Sequence, residues 1–117
     1  MPSTSRRQGN ILILDVAGRL ALGQGLDDFR SKWTDALATG ARDVIVNLAQ
    51  VPMVDSSGIG SLIRCHSAVS AAGGKMKLVG VGAVVKQSMK ITRLDRIFEI
   101  HDDESSAVSS FSAAGND

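Results

Sequence analysis

The sequence of 117 residues has few aromatic residues and one cysteine, and each shortage excludes a class of function. Only 3% of the residues are aromatic and none is tyrosine, which argues against the stacking platforms that bind single-stranded nucleic acid. Cys65 is the one cysteine, so no intramolecular disulfide bond can form. A metal site would depend mainly on histidine and carboxylate ligands, and a reducing cytosol fits the composition best.

The sequence also lacks an excess of either charge and any long apolar run. Lysine and arginine number 13 against 12 acidic residues, a balance that gives no electrostatic reason to bind nucleic acid or an anionic membrane. No run reaches the about 18 apolar residues of a membrane span, and no apolar stretch follows Arg6 and Arg7 as in a signal peptide. We therefore expect a cytoplasmic protein without membrane insertion, whose partner is a protein or a small ligand.

Apolar residues along the chain follow strand and helix periodicities in alternation. The length predicts a single domain over residues 1–117, with a core from about 9 to 111 and a flexible tail from 112 to 117. Strands are predicted at 11–17, 44–48, 75–81 and 97–100, with 3–8 as a hairpin partner of the first. Helices are predicted at about 26–40, 59–72 and 83–91, and through Val108 and Phe111 after a cap at Asp102 or Asp103.

This alternation predicts an α/β fold. Helical crossovers between strands imply parallel pairing, whereas a tight turn at Gly9 and Asn10 implies an antiparallel hairpin. We expect a mixed β-sheet of four to five strands with about four helices, mainly on one face.

The stretch from Asn47 to Gly60 leaves a predicted strand and enters a helix, and it carries the main functional signal. Asp55, Ser56 and Ser57 are residue types that cap a helix, because their side-chain oxygens accept hydrogen bonds from the unpaired N–H groups of the first turn. Capping explains one hydroxyl, but not two adjacent hydroxyls after a carboxylate. The apolar face of the helix is predicted to consist of Ile59, Leu62, Ile63, His66 and Val69.

Two glycines in the first turn of this helix need their own explanation. Gly58 and Gly60 each cost up to about 1 kcal/mol relative to alanine. We interpret them as keeping the surface low, so that the backbone or active site of another protein can approach Ser56. A modified or partner-contacting serine and a plain helix cap both remain open on this evidence.

The nucleophilic serine of some hydrolases also lies in a turn between a strand and a helix. However, neither Ser56 nor Ser57 is flanked by the glycines of the Gly-x-Ser-x-Gly motif. His66 belongs by spacing to the apolar face of the following helix, so we expect a packed histidine rather than a catalytic base. His101 lies far along the chain, at the end of the last predicted strand.

The segment Asp55-Ser56-Ser57-Gly58-Ile59-Gly60 resembles the signature of STAS domains, in particular of the bacterial anti-sigma factor antagonists. Residues 14–20 resemble the first long strand of this family, and residues 73–79 resemble the entry to its third strand. Residues 97–100 resemble the segment before its last helix, so the similarity extends over roughly residues 9 to 111.

This resemblance implies a role for each residue of the segment. Ser56 corresponds to the serine that is phosphorylated by a partner acting both as a GHKL-type serine kinase and as an anti-sigma factor. The unphosphorylated antagonist binds this partner and frees the sigma factor, and a phosphatase is a second partner. Asp55 would orient the hydroxyl and Ser57 would cap the helix. The resemblance implies that the partner-binding residues are Asp55, Ser57, Gly58, Ile59 and Gly60.

The same resemblance implies that the protein is not an enzyme and has no cofactor or metal of its own, because ATP belongs to the partner. The loop at 21–26 is less acidic than in the best-known antagonists, which leaves the identity of the partner open. Two alternatives remain: a non-enzymatic scaffold or accessory domain of a signalling assembly or transporter, in which Ser56 is only a helix cap, and a serine hydrolase. A monomer and a dimer are both open.

Overall fold

The elements of the computed structural model, which describes residues 3–115, follow the predicted order of strands and helices. They are β1 (Thr4–Gln8), β2 (Ile11–Ala17), α1 (Gln24–Ala38), β3 (Asp43–Gln50), α2 (Ser56–Ala71), β4 (Met76–Val79), α3 (Ala83–Ile91), a 3-10 turn (Leu94–Arg96), β5 (Glu99–His101) and α4 (Glu104–Gly115). The expected α/β fold with a mixed sheet is confirmed. None of the helices within residues 3–115 has the length and hydropathy needed to cross a bilayer.

The five strands form one sheet in the order β1-β2-β3-β4-β5. The first pair is antiparallel, as predicted, and its turn includes Gly9 at a φ of 62°. The pairs β2–β3, β3–β4 and β4–β5 are parallel. Because parallel strands end on the same side of a sheet, the connections after β2, β3, β4 and β5 all lie at one edge. We call this edge the carboxyl edge.

The two faces of the sheet are covered unequally, because alternate residues of each strand point to opposite sides. On one face, Phe29 of α1, Leu62 of α2 and Met89 of α3 are fully buried against the sheet. On the other face, Ala107 and Phe111 of α4 pack against the sheet residues Ile11, Ile13, Ile45 and Val79. Of the four helices within residues 3–115, three therefore lie on one face, as expected.

Lys77 of β4 is a charged residue buried beneath α4, with only 3% of its surface exposed. Its ammonium lies 3.0 Å from Glu99 Oε2 and 4.1 Å from the ring centre of Phe111, and it donates to Ser110 Oγ. These partners satisfy a charge that would otherwise be costly to bury. Burial raises the pKa of Glu99, but hydrogen bonds from His101 and Lys77 outweigh it, so this pKa lies below its ordinary value. The cluster fixes α4 to the sheet.

Two segments near the C-terminus differ from the predicted boundaries. The last strand begins at Glu99, whereas the prediction began it at residue 97. A 3-10 turn precedes it and Phe98 enters the core from the loop, with 2% of its surface exposed. Asp103 Oδ1 accepts the Ser106 N–H at 2.8 Å, so Asp103 is the predicted cap. Helix α4 continues to Gly115, into the segment predicted as a flexible tail, and residues 116 and 117 lie outside the described part.

Candidate functional site

Helix α2 begins at Ser56, and its N-cap is Asp55. The Asp55 Oδ1 atom accepts a hydrogen bond from the Gly58 N–H at 2.8 Å. The backbone carbonyl of Asp55 accepts the Ile59 N–H at 2.9 Å, which closes the first turn. Neither Ser56 nor Ser57 is therefore the helix cap, and the capping roles expected for them are wrong, because the Asp55 carboxylate occupies that position. The scaffold alternative is not decided by this.

The second carboxylate oxygen of Asp55 binds the loop after β2. Asp55 Oδ2 accepts the Leu22 N–H at 3.2 Å, and the Asp55 N–H donates to the Leu20 carbonyl at 3.3 Å. The Leu20 N–H donates in turn to Met53 O at 3.1 Å, so this loop runs beside the turn that precedes α2. This contact is not predicted from the sequence. The feature of the sequence that could have indicated the contact is Leu20, an apolar residue in a glycine-rich loop. Leu20 is fully buried.

Backbone hydrogen bonds hold the Asp55 carboxylate in its charged form. The N–H of Gly58, followed by that of Leu22, keeps the pKa of Asp55 below its ordinary value. Both oxygens are engaged with the backbone, and within residues 3–111 neither hydrogen-bonds to the Ser56 hydroxyl. The expected role of Asp55 in orienting that hydroxyl therefore has no support in this geometry.

The two serine hydroxyls of the first turn are not committed to the fold. Ser56 is exposed and Ser57 is partly exposed. Within residues 3–111, neither side-chain oxygen makes a hydrogen bond, since Asp55 has taken over the cap. Ser56 also lies at the positively polarised end of a 16-residue helix, where added negative charge is favoured.

Gly58 is buried, and the interpretation that it keeps a surface low for a partner is wrong. A Cβ atom at this position would lie 2.0 Å from the Leu20 carbonyl oxygen and 2.7 Å from Val54 Cγ1. The glycine is therefore needed so that the start of α2 can pack against the loop after β2. Ile59 is partly buried and packs against the core beneath α1, α2 and α3.

Gly60 differs from Gly58, because the space beside it is open. A Cβ atom at Gly60 would have its nearest contact at 3.8 Å, with Nη1 of the Arg64 side chain. Nothing in the internal packing requires a glycine here. A role for Gly60 in partner binding stays a prediction.

The histidines and the cysteine do not form a catalytic arrangement with the serines. His66 packs edge-to-face against Phe98 with ring centres 5.9 Å apart, which confirms a packed histidine. His101 hydrogen-bonds to Glu99 and Ser106 beneath α4, on the opposite face of the sheet from α2. Burial raises the pKa of the Cys65 thiol to about 12, so it is neutral and unreactive. Among residues 3–115, no three His, Cys, Asp or Glu side chains are grouped so that they could hold a metal ion.

Comparison with known sequences identifies relatives of the chain. The family model described as the STAS domain matches residues 3–107. A candidate anti-sigma factor antagonist from Thermotoga neapolitana is 33% identical over 79 residues, which cover 66% of this chain and 70% of that protein.

Solved structures have the same fold. The crystal structure of a candidate anti-sigma factor antagonist from Thermotoga maritima has a TM-score of 0.86 and 25% identity, and the match covers 92% of both chains. The Bacillus cell fate determinant SpoIIAA in its phosphorylated form has a TM-score of 0.72 over 93% of this chain and 98% of that one. Its identity is 18%, so this likeness shows the fold alone. Since the family model spans most of the residues, the chain belongs to the STAS domain family.

Proposed function

We propose that this STAS domain is an anti-sigma factor antagonist that is switched off by phosphorylation of Ser56. The observation that supports this most is the division of roles at the start of α2: Asp55 caps the helix, and the Ser56 hydroxyl is exposed and without a structural partner within residues 3–111. A serine kept for capping would have its oxygen engaged with the backbone.

In the proposed pathway the chain is a substrate and a binding partner rather than an enzyme. An anti-sigma factor that is also a GHKL-type serine kinase binds the unphosphorylated domain and so releases its sigma factor. The same kinase binds ATP and transfers its γ-phosphoryl group to Ser56 Oγ, with ADP as the leaving group and loss of the hydroxyl proton. A phosphatase restores the hydroxyl by hydrolysis of the phosphate ester.

The effect of the phosphate on binding follows from its charge. A phosphoserine carries about −1.5 to −2 charges at neutral pH, next to an Asp55 carboxylate whose pKa is already lowered. Burying this charge against a partner without a matching cation costs several kcal/mol. Because each 1.4 kcal/mol is a factor of ten in affinity, we expect binding to fall by at least about a hundredfold.

The fold should survive phosphorylation. A phosphate at the first position of α2 lies at the favourable end of the helix dipole, which contributes about 0.3 to 1 kcal/mol and offsets repulsion from Asp55. Circular dichroism of the phosphorylated domain should therefore match that of the unmodified domain. Loss of helix signal would mean that the switch acts by unfolding instead.

The site of modification is tested with two adjacent serines. Wild type, Ser56→Ala and Ser57→Ala are incubated with ATP and each purified GHKL serine kinase encoded in the source genome. Mass spectrometry should find one phosphate at Ser56 in wild type and in Ser57→Ala, and none in Ser56→Ala. Ser57→Ala is the matched control, because it removes a hydroxyl from the same turn.

Binding is tested by titration calorimetry against the same kinase with ADP. Ser56→Ala should bind like wild type, and Ser56→Asp should bind at least about a hundredfold more weakly. If Ser56→Asp binds as tightly as Ser56→Ala, the proposal that phosphorylation of Ser56 switches off binding is wrong. Stable binding that is indifferent to ATP would favour the scaffold alternative, and labelling of Ser56 by an active-serine probe would favour a hydrolase.

A further inference from the structure

Charge is distributed unevenly along the chain, although the total is close to neutral. From Ser56 to Phe98 the one acidic residue is Asp95, whereas the basic residues are Arg64, Lys75, Lys77, Lys86, Lys90, Arg93 and Arg96. From Glu99 to the C-terminus there are acidic residues and neither lysine nor arginine. A total near zero argues against an anionic membrane as a partner, but it averages over segments of opposite sign and does not describe the charge of any one surface.

The fold brings cations of the basic segment to one edge of the sheet. Strands β2 to β5 begin at this edge, which we call the amino edge, and it is opposite to the carboxyl edge. Helix α3 runs back to the amino edge from the end of β4, and the 3-10 turn follows there before β5. We define the basic tip by the exposed cations and aliphatic residues of this region, which are Lys75, Lys90, Ile91, Arg93, Arg96 and Ile97.

Most carboxylates of the neighbouring elements lie away from the basic tip. Those that follow β5 lie at the carboxyl edge, and they are Asp102, Asp103 and Glu104. Glu99 is bound to Lys77 and His101 beneath α4, on the other face of the sheet from α3. Asp35 lies near the end of α1, and α2 separates α1 from α3 because each helix connects neighbouring strands.

Within residues 3–111, two carboxylates remain beside the basic tip. Asp95 is exposed in the 3-10 turn, and Asp43 is partly buried, with its Oδ1 accepting the Lys75 N–H at 3.3 Å. Arg42, directly before β3, is an exposed cation that adds to the four cations of the tip. None of these five cations forms an ion pair in this part of the chain. The surface of the basic tip is therefore positive.

The aliphatic residues of the basic tip lie outside the core. Ile91 is 74% exposed and Ile97 is 48% exposed. Leu94 and Phe98 are buried instead, and the Leu94 carbonyl accepts the N–H groups of Ile97 and Phe98 at 3.0 and 2.9 Å. Because the turn is anchored in this way, the exposure of the two isoleucines is not a result of loose packing. Exposed aliphatic side chains grouped with cations are typical of an interaction surface.

The backbone of Arg93 lies in the left-handed region, with a φ of 61° and a ψ of 22°. Among the residues that the structure describes, it is the one residue other than glycine with a positive φ. The position follows the end of α3, where glycine is common because it adopts this conformation without steric cost. Lys90 is explained by the helix dipole, which favours a cation in the last turn. The fold does not explain an arginine at the strained position, which points to a function of its exposed side chain.

We propose that the basic tip adsorbs to membranes that contain anionic phospholipids. Its lysines and arginines bind phosphates of the headgroups, and Ile91 and Ile97 enter the boundary between headgroups and acyl chains. A nucleic acid also offers phosphates, but it has no apolar layer for the isoleucines. Its bases are bound through aromatic side chains, and the basic tip has none.

This inference goes beyond the proposed function and does not depend on it. Ser56 lies at the start of α2, at the carboxyl edge, whereas the basic tip lies at the amino edge. A domain adsorbed through the tip would keep Ser56 away from the bilayer and accessible to a partner. Because the tip lacks the tryptophan and tyrosine that anchor proteins at a membrane surface, binding should be peripheral and sensitive to salt.

Binding is measured by cosedimentation of the full chain with vesicles of phosphatidylcholine, either alone or mixed equally with phosphatidylglycerol. Wild type should bind the mixed vesicles at least about tenfold more tightly than the neutral vesicles. Added salt should abolish this binding. Equal binding to both kinds of vesicle, or binding to neither, would overturn the inference.

The charges are tested with exposed positions inside and outside the basic tip. Arg96→Glu should weaken binding to the mixed vesicles by about tenfold or more, and Asp95→Asn should strengthen it by about fivefold. Arg30→Glu is the matched control, because it changes the net charge as Arg96→Glu does but lies on α1. It should change binding by less than about twofold. If Arg30→Glu weakens binding as much as Arg96→Glu, the basic tip is not the membrane surface.

Two further variants test the strained arginine and the aliphatic residues. Arg93→Gly should weaken vesicle binding by about fivefold, and it should raise the thermal midpoint because glycine relieves the left-handed strain. A lower midpoint with unchanged binding would show that Arg93 serves the fold instead. Ile91→Ala should weaken binding by about fivefold, whereas Leu22→Ala, 82% exposed at the carboxyl edge, should bind like wild type. Equal effects of these two truncations would contradict insertion of Ile91.

Parallel measurements detect two other occupants of the basic tip. A short DNA duplex is titrated with wild type, and sedimentation velocity without vesicles compares wild type with Arg96→Glu. Tighter binding to the duplex than to the mixed vesicles would assign the tip to nucleic acid. Self-association that Arg96→Glu abolishes, without vesicle binding, would assign it to a second copy of the chain. Either result would overturn the lipid surface and leave the proposal for Ser56 unaffected.

Discussion

Replacing Gly58 by alanine should destabilise the domain, although one methyl group on a helix is ordinarily favourable. The added Cβ would lie 2.0 Å from the Leu20 carbonyl oxygen, whereas even tight contacts of real Cβ atoms begin at 3.0 Å. The start of α2 and the loop after β2 must therefore separate by about 1 Å at this contact. Leu20 is fully buried and its carbonyl accepts a backbone hydrogen bond, so the movement disturbs the core and the loop together.

The size of the effect can be built from three contributions. Overpacking costs about 1–3 kcal/mol, and weakening the hydrogen bond to the Leu20 carbonyl costs about 1 kcal/mol. Removing a glycine from a helix recovers up to about 1 kcal/mol. The net loss for Gly58→Ala is then about 1–3 kcal/mol, which corresponds to a fall of about 4–12 °C in the thermal midpoint of a domain this size.

The assay is thermal unfolding followed by circular dichroism, and Gly60→Ala is the matched control. Its Cβ has a nearest contact at 3.8 Å, so this variant should equal wild type or gain up to about 1 kcal/mol. Close packing around Gly58 is refuted if Gly58→Ala unfolds at the same temperature as Gly60→Ala or above it. In that case the loop after β2 would have room to move, and Gly58 would need another explanation.

The remaining predictions concern the cap, its ionisation and the buried lysine. Ser57→Ala should change the free energy of unfolding in urea by less than about 0.5 kcal/mol, and a larger loss would show that Ser57 caps α2 after all. The pKa of Asp55 is lowered in the folded state, so its charge stabilises the domain above the ordinary value of 3.8 and this contribution is lost as the pH falls through the folded-state pKa. The stability difference between wild type and Asp55→Asn should accordingly be constant from pH 7 to about 4 and shrink below that, and a difference independent of pH would contradict this. Lys77→Met should unfold at or above the wild-type midpoint, because an apolar side chain of similar volume avoids burying a charge and Glu99 is half exposed. Lys77→Ala, which leaves a cavity beneath Phe111, should be less stable than Lys77→Met by about 2 kcal/mol or more, and equal stability of the two would show that packing at this position contributes little.

The order of elements could be predicted because the apolar pattern is strong where elements pack on one face. The apolar face predicted for α2 is only partly correct. Leu62 and Val69 are buried, but Ile59 and Ile63 are only partly buried at the sides of that face. Small residues complete the buried stripe, namely Gly58, Ser61 and Cys65. Counting large apolar residues misses such positions, because small residues are buried where a helix packs closely against its neighbours.

The site could be predicted only in part, for a different reason. The segment Asp55 to Ser57 was identified as a helix start, but three capping residues in a row do not reveal which one caps. Which residue caps the helix depends on the loop that carries Leu22. Leu22 is 33 residues away from Asp55 in the sequence, and its N–H binds the second carboxylate oxygen of Asp55. A glycine that lies on an open surface and a glycine in close packing also look the same in a sequence, so Gly58 and Gly60 could not be told apart.

The double role of Asp55 would let a charge on Ser56 act on binding without acting on the fold, as the proposed function requires. Its carboxylate holds the start of α2 through Gly58 and the loop after β2 through Leu22, so both sides of the turn stay in place whatever the state of the neighbouring hydroxyl. A phosphate on Ser56 would replace no hydrogen bond on which the described fold depends. It would, however, lie on the exposed surface at the start of α2, where a docked partner would have to exclude water from it. The cost of phosphorylation would then fall on the complex and not on the domain.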